Sequence, residues 1–147
     1  MPNWCHNRVE IFGDDEELAK IKKQVETNVS LFDFDTIIPT PNFDMIPNKK
    51  GELPTLAKGE AGKLLNVKQF PDGSQDDRWY HWHIDNWGTK WNSVDVIVED
   101  EGDVLRYVFD TAWSPPEPII HKLRELYPDV GISAFYDEPG MEFAGYL

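Results

Sequence analysis

Two histidines and an aspartate, His81, His83 and Asp85, stand at alternate positions in Trp79-Tyr80-His81-Trp82-His83-Ile84-Asp85. Imidazole nitrogens and a carboxylate are ligands that zinc and other divalent ions accept, and residues two apart on a strand project from one face. Read as a strand, the segment points Trp79, His81, His83 and Asp85 one way and Tyr80, Trp82 and Ile84 the other. The three polar residues are then a candidate metal site for hydrolytic chemistry, which His6 or His121 would complete. The plainer reading is a solvated polar face on an amphipathic strand. No C-x-x-C, H-E-x-x-H or second carboxylate cluster strengthens the metal reading.

The next residues, Asn86-Trp87-Gly88-Thr89-Lys90-Trp91, offer a different chemistry. Backbone N–H groups around Gly88, the Thr89 hydroxyl and the Lys90 charge suit a phosphate, and a base can stack on Trp82, Trp87 or Trp91. A small nucleotide-like ligand is the candidate. The competing reading puts Trp87 and Trp91 in the core, with Lys90 lying across an indole face. No Walker pattern and no G-x-G-x-x-G accompanies the segment.

Nucleophilic catalysis has little to build on. Cys5 and His6 are sequence neighbours only, Ser93 and Ser114 lack a nucleophile-elbow context, and Ser114 reads as a helix cap. Adjacent carboxylates such as Asp14 with Asp15, or Asp76 with Asp77, sit at a helix start and in a loop, where charge is normally solvated. The chain reads as a binding protein rather than an enzyme, and no cofactor is indicated.

These residues must be held by a chain of 147 residues, the size of one domain, which can bury a core without staples. Cys5 is the only cysteine, which fits a reducing cytoplasm, and no apolar run approaches the length of a membrane span. The net charge is −13. Between Pro39 and Arg78 acids and bases number six each, so all of that charge lies elsewhere. Such a surface repels nucleic-acid backbones and anionic lipid and attracts a basic protein groove.

Alternation predicts a strand over 8–12, and the Asp14/Glu17 capping-box spacing with Leu18, Ile21 and Val25 predicts a helix over 14–28. A second extended segment is expected over 31–38. Residues 39–78, rich in Pro, Gly, Asn and Lys, read as an insertion with a weak helical signal at 57–65. Strands are expected over 93–99 and 104–113 around a Gly102 hairpin turn, then a helix after Ser114-Pro115-Pro116-Glu117. Trp113 at that corner reads as an anchor for the helix. Strands over 132–136 and 142–147 close the chain. Strand, helix, strand, strand, helix, strand is a split β-α-β arrangement. The expected class is α+β, a single ferredoxin-like sandwich over 1–147 with two helices on one face of an antiparallel sheet, an insertion and added strands.

Several of these segments occur together in a known family. The opening Met-Pro-Asn-Trp-Cys-His-Asn-Arg-Val, the Ile-Ile-Pro-Thr-Pro at 37–41, Asn86 to Trp91, Thr111 to Pro116, and Glu138 to Gly145 resemble the YubB-type proteins of phages, prophages and conjugative plasmids. Asn92 stands where the family has an acid, and residues 42–77 match no pattern in it. The resemblance implies a ferredoxin-like domain and an accessory role inside a bacterial cell, without assigning catalytic residues. Small acidic accessory proteins of this kind often block host enzymes or sequester host signals. A host protein with a basic surface is the expected partner, with counter-defence as the context.

Overall fold

The computed structural model describes residues 2–147. Its elements are β1 (Trp4–Phe12), α1 (Asp15–Val25), β2 (Thr55–Lys58), β3 (Leu64–Gln69), α2 (Arg78–Trp87), β4 (Val94–Asp100), β5 (Val104–Ala112), α3 (Glu117–Leu126), β6 (Gly131–Glu138) and β7 (Phe143–Tyr146). The main sheet runs β4-β5-β1-β6-β7, every neighbour antiparallel. β1 sits between the strands that flank α3, so β1-α1-β4-β5-α3-β6 is the ferredoxin-like order, with β7 added at one edge. No helix is long and apolar enough to cross a membrane among the described residues.

The chain forms two compact units: residues up to Pro39 together with His83–Leu147, and Thr40–Trp82. In the first, alternation along β1 buries Cys5, Asn7, Val9 and Ile11 opposite Thr111, Phe109, Tyr107 and Leu105 of β5. Leu18, Ile21 and Val25 of α1 and Ile119, Ile120 and Leu123 of α3 complete the core. Asp14 caps α1 by accepting the Glu17 N–H at 2.9 Å, as its spacing predicts. The β4–β5 turn needs a positive φ, and Gly102 supplies it at +87°. β4 is an edge strand, bulged between Val94 and Ile97 and carrying Asp95, Glu99 and Asp100, features that discourage pairing with another chain.

The segment 31–38 is not a strand. The Asp33 carboxylate accepts the Asp35 N–H (3.0 Å), the Thr27 hydroxyl (2.6 Å) and the Asn92 amide (2.8 Å), which tightens Phe34–Thr36 into a 3-10 turn. Phe32 and Phe34 both turn inward, Phe32 stacked on Phe109 at 5.0 Å and Phe34 edge-on to Trp87 at 5.4 Å. Alternation misled because Asp33, between two buried rings, is buried as well.

The second unit contains no helix at 57–65. β2 and β3 form an antiparallel ribbon there, joined through a tight turn at Glu60–Gly62. Arg78 organises the unit. Its guanidinium donates to both oxygens of the buried Asp76 (2.8 and 2.9 Å) and to the carbonyls of Phe43 and Ile46 (2.8 Å each). The same cation lies 5.1 Å from the Phe43 ring centre and 5.3 Å from that of Phe70. The Asp76 carboxyl is held below its usual range, first by this charge-assisted bond to Arg78.

Candidate functional site

The aromatic segment expected as a strand is the helix α2. Asp76 accepts the Arg78 N–H, Tyr80 N–H bonds Asp77 O, and no Gly or Pro interrupts the run to Trp87. Exposure follows a helical period: Tyr80, His81, Ile84 and Asp85 are exposed, while Trp79, Trp82, His83, Asn86 and Trp87 are half-buried or buried.

This geometry dissolves the metal trio. At 3.6 residues per turn, positions two apart lie about 160° from each other. His83 therefore faces away from His81 and Asp85. Its Nδ1 donates to the Lys90 carbonyl at 2.7 Å and its ring stacks on Trp87 at 3.9 Å, while burial pushes its pKa down. His81 lies 3.8 Å from Asp77, one turn back on the exposed side. No group of three or more His, Cys, Asp or Glu is placed to hold a metal ion among the described residues.

The Asn86–Trp91 segment is largely architecture. Trp87 is 2% exposed and its indole N–H donates to Ile38 O at 2.9 Å. Thr89 is fully buried and donates to Ala112 O at 2.8 Å, and Ser114 donates to Gly88 O at 2.6 Å. Gly88 has φ +80°, and a Cβ there would lie 2.8 Å from Pro118 Cδ. Neither Trp87 nor Thr89 is within reach of a ligand. What stays at the surface is Trp91, tilted against Trp4 at 6.2 Å, with Lys90 Nζ 4.7 Å from its ring centre. A groove of about 530 Å³ beside α3 brings Ile38, Gly88, Ser114, Pro118 and His121 together. Its ionisable groups pair along the helix, Glu117 with His121 and Lys122 with Glu125.

Cys5 is buried and its thiol is pushed up to about 11, chiefly by desolvation, which disfavours the thiolate at neutral pH.

The sheet face away from the core presents the other assembled surface. In register, Ile97, Val108, Arg8, Phe135 and Tyr146 lie side by side across all five strands. With neighbouring strands about 4.8 Å apart, this band crosses roughly 19 Å. Ile97 is 58% exposed and Tyr146 69%. Charged rows flank it: Glu99, Arg106 and Glu10 on one side, Asp110, His6 and Asp137 on the other. Arg106 bridges Glu99 (2.7 Å) and Glu10 (3.1 Å), and Arg8 lies over Phe135 at 5.4 Å.

At one end of this face a Gly13 N–H to Asp103 O contact of 3.4 Å draws the start of α1 to the β4–β5 turn. Asp14, Asp15 and Glu16 thereby meet Asp103 around an open cleft of about 480 Å³. Phe12, 43% exposed, precedes it at the end of β1. Sequence reasoning found the negative charge but not this place. The cue was available: Phe12 follows three strand residues whose alternation leaves it on the solvent face, next to an acidic helix start.

Residues 86–147 match the family model of a ferredoxin-like domain in Api92-like protein. The crystal structure of a protein api92 from Yersinia pseudotuberculosis has a similar fold, with a TM-score of 0.61 at 11% identity, over 99% of this chain and 93% of that one. No curated protein matches the chain. The matched residues take in α3 and four of the five strands of the main sheet, β4, β5, β6 and β7.

Proposed function

We propose that this chain is an accessory binding protein that docks a basic protein surface on the open face of its sheet. The observation that carries this reading is the acidic end of that face, where Asp14, Asp15 and Glu16 join Asp103 beside the exposed Phe12, with the Glu99–Arg106–Glu10 row between them and the apolar band. Charged groups at a rim steer a partner of opposite sign, and exposed aromatic side chains at the centre supply anchors. The resemblance to accessory proteins of mobile elements supports a host protein as that partner, inside the bacterial cell.

The test is capture from bacterial lysate at low salt, identification of the bound protein, and rebinding of that protein in purified form. Asp15→Asn with Glu16→Gln and Asp103→Asn weakens rebinding by roughly tenfold, and raising salt to the physiological range weakens the unaltered chain. Equal rebinding by the triple variant, at either salt, removes the proposal.

A second, smaller reading rests on the surface grouping of Trp91, Trp4 and Lys90, which offers indole faces and a cation to a nucleotide-like molecule. A thermal-shift series against nucleotides tests it, and the absence of any shift that Trp91→Ala abolishes disposes of it.

A further inference from the structure

We propose that the β2–β3 ribbon is a contact surface for a second copy of this chain, whose open sheet face receives it. Leu56 lies opposite Lys68 and, past a register shift, Lys58 lies opposite Leu64, so the ribbon pairs a leucine with a lysine at each of two places along its length. Leu64 is 57% exposed. A two-stranded ribbon with apolar side chains in water is marginal by itself and gains from a partner. Lys58 has no ion-pair partner among the described residues, and the Lys68–Asp44 pair (3.3 Å) is exposed on both sides, so it holds Lys68 weakly.

The counterpart must be acidic and apolar together. The open sheet face has the Ile97–Val108–Phe135–Tyr146 band between Glu99 and Glu10 on one side and Asp110 and Asp137 on the other, four carboxylates against the two guanidiniums of Arg8 and Arg106, so its balance is acidic although Arg106 already pairs Glu99 and Glu10. Its width of roughly 19 Å exceeds the two strands of the ribbon. An anionic bilayer or a nucleic-acid duplex is repelled by a net charge of −13 and offers no apolar side-chain row to receive the leucines. A second copy offers a patch of limited size.

The inference rests on the reading that the open sheet face is a docking surface. Sedimentation of the full chain over a wide concentration range tests it. The mass is expected to rise above 17.0 kDa with concentration. Because the copies also repel through their net charge, charge reversal discriminates where salt does not. Lys58→Glu with Lys68→Glu, and separately Glu99→Lys with Asp137→Lys, are each expected to move self-association to concentrations at least roughly tenfold higher. Mixing the two variants restores it, since each then meets an opposite charge. A monomer at every concentration, association that neither variant changes, or a mixture that stays monomeric overturns the inference, as does phosphatidylglycerol-vesicle binding lost in Lys58→Glu/Lys68→Glu. If self-association fails while the captured partner still depends on Asp15, Glu16 and Asp103, only this inference falls. If both fail, the docking reading falls with it.

Discussion

The ferredoxin-like unit and the Thr40–Trp82 unit are held by different groups. In the first, Phe32, Phe34, Trp87, Tyr107 and Phe109 meet ring to ring under the sheet. In the second, one guanidinium joins Asp76, three backbone carbonyls and two phenyl rings. A segment without hydrophobic periodicity is thus ordered by a single residue with many donors. The two units should fail differently, one on losing volume and the other on losing charge.

The largest effect separating them is expected from Trp87→Ala. It empties a fully enclosed site and leaves the Ile38 carbonyl without its donor, costing about 3–5 kcal/mol in urea unfolding. Labelling of Cys5, whose burial and raised pKa keep it unreactive in the folded unit, should accelerate in proportion.

Arg78→Ala follows, at about 2–4 kcal/mol confined to the smaller unit, because it strands a buried carboxylate. Proteolysis within 40–82 should rise while Cys5 labelling stays slow. The pH dependence has a definite sign. Asp76 has a folded pKa below its unfolded value, so its contribution is fully present above the ordinary carboxylate range of about 4 and is lost as pH falls through the folded value. Acid should therefore loosen this unit in the unaltered chain, and Arg78→Ala should flatten that response. Equal loss of Cys5 protection in both variants would show that the two units unfold as one.

Between these and surface changes lies Thr89→Val. It keeps the volume but removes one of two donors to the Ala112 carbonyl, which retains the Ser114 N–H at 2.9 Å, for about 0.5–1.5 kcal/mol in the same urea experiment.

Much of the ferredoxin-like unit was legible because its elements follow single periods. Leu18, Ile21 and Val25 mark α1 unambiguously, and alternation in Val104–Ala112 matches a strand buried on one face. The aromatic run was not, since Trp79 to Asp85 satisfies an alternating and a helical pattern equally well over seven residues. The deciding cue was polar: Asp76 and Asp77 precede an uninterrupted run that ends at Gly88, a cap and a stop at helical length. Asp33 hid the second error by burying a carboxylate inside a turn. The candidate site divided along the same line. Trp91 stays at the surface with Lys90 across its ring, whereas α2 turns Trp87 into the core and Thr89, past the helix end, is buried where it bonds Ala112 O of β5.

The smallest effect on stability is expected from the residues that matter most to the proposed docking. Asp15, Glu16 and Asp103 are exposed, and their neutral amide replacements leave no buried group unpaired. Two terms oppose each other there. Asp15 and Glu16 lie in the first turn of α1, where each negative charge favours the helix by about 0.3–1 kcal/mol. Asp103 is drawn against that turn by the Gly13 contact, so like charges repel across the cleft. The triple variant should therefore change unfolding free energy by less than about 1 kcal/mol, with the unfolding midpoint less sensitive to salt than in the unaltered chain. An unchanged salt response would mean that the carboxylates do not act on one another, and the acidic end would then lose its standing as a concentrated patch.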